Sequence, residues 1–152
     1  METNMKALLL VNKSENTKVE IARDILNEQN LALEIIIFAP PFTEHCSQSE
    51  EIKNRIIETD AVVYFASHEN ENNRCLDGAL IEAARLDKKV ICIWLDETAK
   101  LNPSFEGLGD CLISNIQQLP EALTGQIKDW ENSDGTLKQD RPFKRYKCGS
   151  KQ

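Results

Sequence analysis

The stretch NRCLDGALIEAARLDKKVICIWLDE, Asn73 to Glu97, joins a polar loop to an amphipathic helix and then to an apolar strand. The amino end of such a helix presents unpaired N–H groups and the positive end of its dipole, which favours a phosphate or another anion. The loop before it, SHENENNR (Ser67–Arg74), has no apolar residue, and a second polar cluster, Asn12-Lys13-Ser14-Glu15-Asn16, follows the first apolar run. Asn, Ser and Glu side chains hydrogen-bond ribose hydroxyls and amides. Asn12, Ser14 and Ser67 are therefore candidate binding residues, and His68 joins them by its place at a strand end. Asp77, in the first helical turn, serves either as a dipole partner or cap or as a ligand contact. GxGxxG and GxxxxGK[ST] are both absent, which argues against a kinase-like or dehydrogenase-like site. Neither histidine, His45 or His68, falls in HExxH or beside a matching ligand pair, so no metal site or nucleophilic triad is predicted.

These residues need a scaffold, and its size is bounded by the chain length of 152 residues: one domain with a real core. A net charge of −7 argues against general affinity for nucleic acid or anionic membrane. Residues 135–152 hold six Lys/Arg against one Asp, leaving −12 on residues 1–134, so a basic tail follows an acidic body. The five cysteines, Cys46, Cys75, Cys92, Cys111 and Cys148, form no CxxC pair and are odd in number. Neither a zinc knuckle nor a closed disulfide framework is indicated, and a reducing cytoplasm is the expected compartment. The apolar run Ala7–Val11 is too brief for a signal-peptide core, and no segment reaches membrane-spanning length.

The hydrophobic pattern alternates between two periods. KALLLV (Lys6–Val11), ALEIIIF (Ala32–Phe38), AVVYFA (Ala61–Ala66) and KVICIWL (Lys89–Leu95) are continuous apolar runs of the kind buried on both faces of a parallel sheet. Between them, Val19, Ala22, Ile25 and Leu26, then Ile52, Ile56 and Ile57, then Leu76, Leu80, Ala83 and Ala84 recur at helical spacing. Ser47 or Ser49 is a candidate cap for the second of these helices. CLISNI (Cys111–Ile116) reads as a shorter fifth strand, and Leu119–Trp130 as a last helix with Leu123, Ile127 and Trp130 inward. The expected fold is α/β, a flavodoxin-like three-layer sandwich around a five-stranded parallel sheet of order 2-1-3-4-5. Its domain spans residues 1–131, with a flexible basic tail over 132–152. The ligand site belongs at the carboxyl ends of the strands, among the loops at 12–16, 42–49 and 67–74.

The stretch SEEIKNRIIETDAVVYFASHENENNRCLDGALIEAARLDKKVICIWLDE resembles the middle of TIR-like domains, especially the Thoeris-type proteins of bacterial antiphage defence. Asp60, Val62, Val63 and Ser67 match the family's strand and loop, Lys88-Lys89-Val90-Ile91 its exit strand, and Ala83 its helix alanine. The resemblance spans about residues 6–130 and is specific over 50–97. It places Cys75, a further candidate binding residue, where the family often has Trp, and Ala79 where it has its catalytic glutamate. It implies an NAD-processing enzyme, an NAD glycohydrolase or an ADP-ribose-based signal synthase, with NAD as substrate and no cofactor. The family's carboxylate stabilises the oxocarbenium-like ribose as nicotinamide departs. An alanine methyl cannot.

Three accounts of Ala79 are open. The domain has lost its chemistry and binds a nucleotide or protein; or Glu82, three residues on, supplies the acid after a small change of helix register; or the chain is a catalytic Glu→Ala variant. The implied partners are NAD or a related nucleotide and other TIR-like protomers or an effector protein, without nucleic acid or membrane. Two alternatives accompany this reading. One is a non-catalytic adaptor or nucleotide sensor. The other is a nucleoside deoxyribosyltransferase-like enzyme, whose usual Asp-Ser-Gly approach to the glutamate is absent.

Overall fold

Five parallel strands order themselves 2-1-3-4-5, numbered along the chain, in a computed structural model that describes residues 5–38 and 46–138. The strands are β1 (Lys6–Val11), β2 (Ala32–Ile37), β3 (Ala61–Ala66), β4 (Lys89–Trp94) and β5 (Cys111–Ile113). Every residue of β3 is buried, as befits a central strand covered on both faces. Register is pinned along the sheet, with Leu9 opposite Ile35 on one side and Val63 on the other.

The helices are α1 (Asn16–Glu28), α2 (Ser49–Ile57), α3 (Arg74–Arg85), α4 (Pro103–Leu108) and α5 (Leu119–Thr124). Alternating strand residues separate two cores. Leu8, Leu10, Val62, Tyr64 and Val90 pack against Ile52 and Ile56 of α2, Leu76, Leu80 and Ala83 of α3, and Phe105 of α4. Leu9, Val11, Val63, Phe65 and Ile91 pack against Val19 and Leu26 of α1 and Leu119 and Leu123 of α5. The result is the flavodoxin-like three-layer sandwich. Burying Leu76 and Leu80 of α3 contributes about 1.5–3 kcal/mol each, which holds the amino end of that helix against the sheet.

Several boundaries differ from the sequence reading. Gln48 rather than Ser47 or Ser49 precedes α2, with no side-chain cap. The fifth strand stops at Ile113. The segment 101–110, which lacks periodicity, contains α4: Asn102 caps it by accepting from Ser104 N at 2.8 Å, and Pro103 occupies its first turn. Phe105 then drops between Tyr64, edge-on at 5.6 Å, and Trp130, stacked at 4.9 Å. The helix expected over Leu119–Trp130 ends at Thr124, because Gly125 turns left-handed at φ 87°. Trp130 reaches the core from an extended segment that bridges Leu112, not from a helix face. Gly125→Ala, which forces that φ on an L residue, is expected to cost about 1–2 kcal/mol in urea unfolding.

Beyond Trp130 the chain folds back. Glu131 bridges Leu137, and Lys138 N donates to Trp130 O at 2.7 Å, so the first residues of the expected tail are paired to the domain. The remaining residues of that tail, 139–152, lie outside the described residues, as do residues 42–45 of the expected 42–49 site loop, His45 among them. No helix among the described residues is long and apolar enough to cross a membrane.

Candidate functional site

At the carboxyl ends of β1 and β3 a polar network lies out of solvent. Glu15 is 1% exposed and Asn12, Asn70, Asn73 and Asn102 are each at most 1% exposed. The Asn12 backbone N–H donates to Glu15 Oε1 at 2.9 Å, closing a single turn over Lys13–Glu15. Ser67 Oγ donates to Glu15 Oε2 at 2.6 Å, and Asn12 Nδ2 donates to the same oxygen at 3.1 Å. Asn70 is the hub. Its Oδ1 accepts from Asn12 Nδ2 at 2.9 Å and from Asn73 Nδ2 at 3.1 Å, and its Nδ2 donates to Phe65 O at 2.7 Å. Asn73 Oδ1 in turn caps α3 by accepting from Leu76 N at 3.1 Å, while Asn102 Nδ2 donates to Asn70 O at 2.9 Å. One network thus ties the β1 loop, the β3 loop and the starts of α3 and α4.

Above it opens a cleft of about 540 Å³ lined by Ser14, Glu15, Ser67, His68, Glu69, Leu95, Asp96 and Glu97. The first and third loops of the sequence reading do meet here, and Ser14 Oγ donates to Glu69. His68 lies between two carboxylates, Nδ1 against Glu71 Oε2 and Nε2 against Asp96 Oδ2, both at 2.9 Å. Lys100 N–H, ahead of His68, holds the Glu71 carboxyl below its usual range, and the Thr98 N–H and hydroxyl do the same for Asp96. Glu15 goes the other way. Burial raises its carboxyl pKa against the opposing hydrogen bonds from Ser67 and Asn12.

That shift has a sign that can be tested. Because the folded state binds the Glu15 proton more tightly than the unfolded chain, Glu15 lowers stability as pH rises from the ordinary carboxyl range through its raised pKa. Urea titrations from pH 4 to 8 should therefore show a decline that Glu15→Gln flattens. Parallel curves for the two proteins would show that Glu15 does not titrate differently in the fold.

The remaining predicted residues lie elsewhere. Cys75 and Ala79 line a separate hollow of about 70 Å³, together with Cys46, Ser49, Ile52, Lys53, Arg74 and Gly78. Ala79 is 1% exposed and belongs to the core beneath α3. Asp77 is half-buried, and its Oδ1 accepts from Ser104 Oγ at 3.3 Å. Glu82 lies outside both linings, its carboxylate bound to Arg85, which keeps it below the usual range. Cys46 and Cys75 are joined in a disulfide, which corrects the expectation from cysteine parity. The physical reason is folding geometry: the two Cα atoms, 29 residues apart in sequence, come within 5.1 Å. Among the described residues no group of three His, Cys, Asp or Glu is placed to hold a metal ion.

Sequence reasoning missed Glu15, Asn70, Asn102, Asp96, Lys53 and Arg74. One local signal was available: Asn12 and Glu15 have the spacing by which a residue three positions into a turn reaches back to the cap. Asn73 likewise stands immediately before the apolar helical pattern, where caps are favoured.

No protein-family model matches the chain, and no curated protein does. Among solved structures, a 3-dehydroquinate dehydratase-like protein from Bifidobacterium longum is similar with a TM-score of 0.55 at 9% identity, over 80% of this chain and 94% of that one. A CheY-like response regulator receiver domain from Methanospirillum hungatei gives a TM-score of 0.53 at 16% identity, over 81% and 94%. At such identities the likeness is one of fold, and it agrees with the flavodoxin-like architecture.

Proposed function

We propose that the chain is a TIR-like domain of prokaryotic antiviral immunity, with its nucleotide lying across the outer mouth of the hollow beside the amino end of α3 and position 79 as the catalytic one. The observation that carries this reading is the wall of that hollow, which has two cations, Lys53 and Arg74, one hydroxyl, Ser49, and no carboxylate. Arg74 at the first position of α3 and Lys53 midway along α2 suit the phosphates of NAD or a related nucleotide. The larger cleft, walled by Glu69, Asp96 and Glu97, repels them.

A glutamate at position 79 would set a carboxylate against the ribose, for NAD glycohydrolase or ADP-ribose-based synthase chemistry. With alanine there, the chain binds without turnover. NAD is then substrate or ligand, no resident cofactor is needed, and the working compartment is the cytoplasm. Other TIR-like protomers or an effector protein are the partners of such a domain. The absent carboxylate also favours a second reading, a non-catalytic adaptor or nucleotide sensor. The experiment that separates them is a mass spectrum of NAD incubated with the chain as it stands and with Ala79→Glu.

A further inference from the structure

We propose that Cys46 and Cys75 form a reversible thiol–disulfide exchange site in the wall of the small hollow, with Cys75 as the leaving sulfur, whether or not a nucleotide occupies that hollow. The bond joins the segment entering α2 to the second residue of α3. Its two ends are placed differently. Cys46 is half-buried and open to attack, whereas Cys75 is 2% exposed at the amino end of a 12-residue helix. Lys53 and Arg74 line the same hollow.

Burial at Cys75 disfavours a thiolate, and the helix dipole and these two cations oppose that effect. No acid of the surrounding elements lines the hollow, although Glu82 attracts Lys53 from outside it. Asp77 accepts from Ser104, Glu82 is bound to Arg85, and Glu50 and Glu51 of α2 and Glu106 of α4 are exposed and do not line the hollow. A sulfur that leaves readily as thiolate makes its disulfide quick to exchange. Cys92 and Cys111, as deeply buried but on strands and not at a helix amino end, offer a contrast: burial pushes the Cys92 thiol far up and the Cys111 thiol to about 12, so both stay protonated and inert.

The exchange partner is a low-molecular-weight thiol of the glutathione class. Its thiolate attacks Cys46 Sγ, the bond to Cys75 Sγ breaks, and Cys75 departs with the electron pair. A second thiolate attacks the outer sulfur of the mixed disulfide on Cys46, releasing Cys46 as thiolate and forming the small-molecule disulfide. Protons from the two thiols return to the two cysteines, so two electrons pass from thiol to protein. The fold is expected to survive the change, because neither the 2.9 Å hydrogen bond from Gln48 Nε2 to Ile37 O nor the apolar packing of α2 and α3 in one core is made through the bond.

The test uses the full chain with Cys148→Ser, treated with reduced glutathione at neutral pH, quenched with iodoacetamide and mapped by mass. Labels on both Cys46 and Cys75 in the folded protein, a transient glutathione adduct on Cys46, and re-closure by glutathione disulfide are expected. A bond that opens only after denaturation, or an adduct on Cys75, would overturn the proposal. In a Cys46→Ser, Cys148→Ser protein, alkylation of Cys75 is expected to have its midpoint below the ordinary cysteine value of about 8.5. Adding Lys53→Glu and Arg74→Glu should raise that midpoint and slow the labelling at neutral pH about tenfold. A midpoint that charge reversal does not move sinks the assignment of Cys75 as the stabilised thiolate.

Discussion

Replacing Ala79 by glutamate is expected to turn NAD from an intact ligand into a cleaved one, with a rate gain of roughly a hundredfold over the chain as it stands. That is the scale of one preorganised group that stabilises developing charge. The argument is steric as well as electrostatic. Ala79 is 1% exposed, so a longer side chain at that position has one place to go, the hollow of about 70 Å³, which has room for a few waters. There it meets Lys53 and Arg74, which favour its ionised form. The substitution is expected to lower stability by about 1–3 kcal/mol, so circular dichroism and urea unfolding accompany the assay. Ala79→Gln has the same shape without the charge and should stay inactive. Glu82→Gln, outside the hollow, should leave the gained activity unchanged. If folded Ala79→Glu leaves NAD whole in the mass spectrum, the enzymatic reading is lost and the sensor or adaptor reading takes its place.

Asn70→Ala has the largest expected effect on stability. The side chain is 1% exposed and makes three buried hydrogen bonds, to Asn12 Nδ2, Asn73 Nδ2 and Phe65 O. Truncation leaves two amide donors and one carbonyl without this partner, in surroundings where an unpaired buried group costs about 1–3 kcal/mol. Because Asn73 also caps α3, the loss spreads to the helix that carries Cys75 and Ala79. A total of about 3–5 kcal/mol is expected, a large share of the 5–15 kcal/mol that keeps a domain of this size folded. Glu69→Gln, on the exposed rim of the same cleft, should stay within about 0.5 kcal/mol and serves as the control. A loss below 1 kcal/mol for Asn70→Ala would mean that packing alone holds these loops.

The two substitutions probe different parts of the carboxyl edge of the sheet. The polar loops after β1 and β3 were read as one crevice with the start of α3. Ser14, Ser67 and His68 do share a cleft, but Cys75 and Ala79 face another hollow. Asn12 faces neither. It lies beneath the cleft, 0% exposed, as part of its support.

Strand positions, sheet order and layer count were legible in the sequence alone because they depend on local rules. Apolar runs such as AVVYFA must be covered on both faces, and right-handed crossovers leave few ways to arrange strand–helix units. Even there, periodicity extended the last helix to Trp130, since helical spacing continues past Gly125 while the backbone does not. Only the tertiary structure decided the rest. Glu15 accepts from Ser67, 52 residues away, Asn12 is held by Asn70, 58 residues away, and Cys46 meets Cys75 across 29 residues. The physical reason is that burial, pairing and proton affinity belong to neighbours in space, and the crossovers of a parallel sheet bring those neighbours from distant parts of the chain.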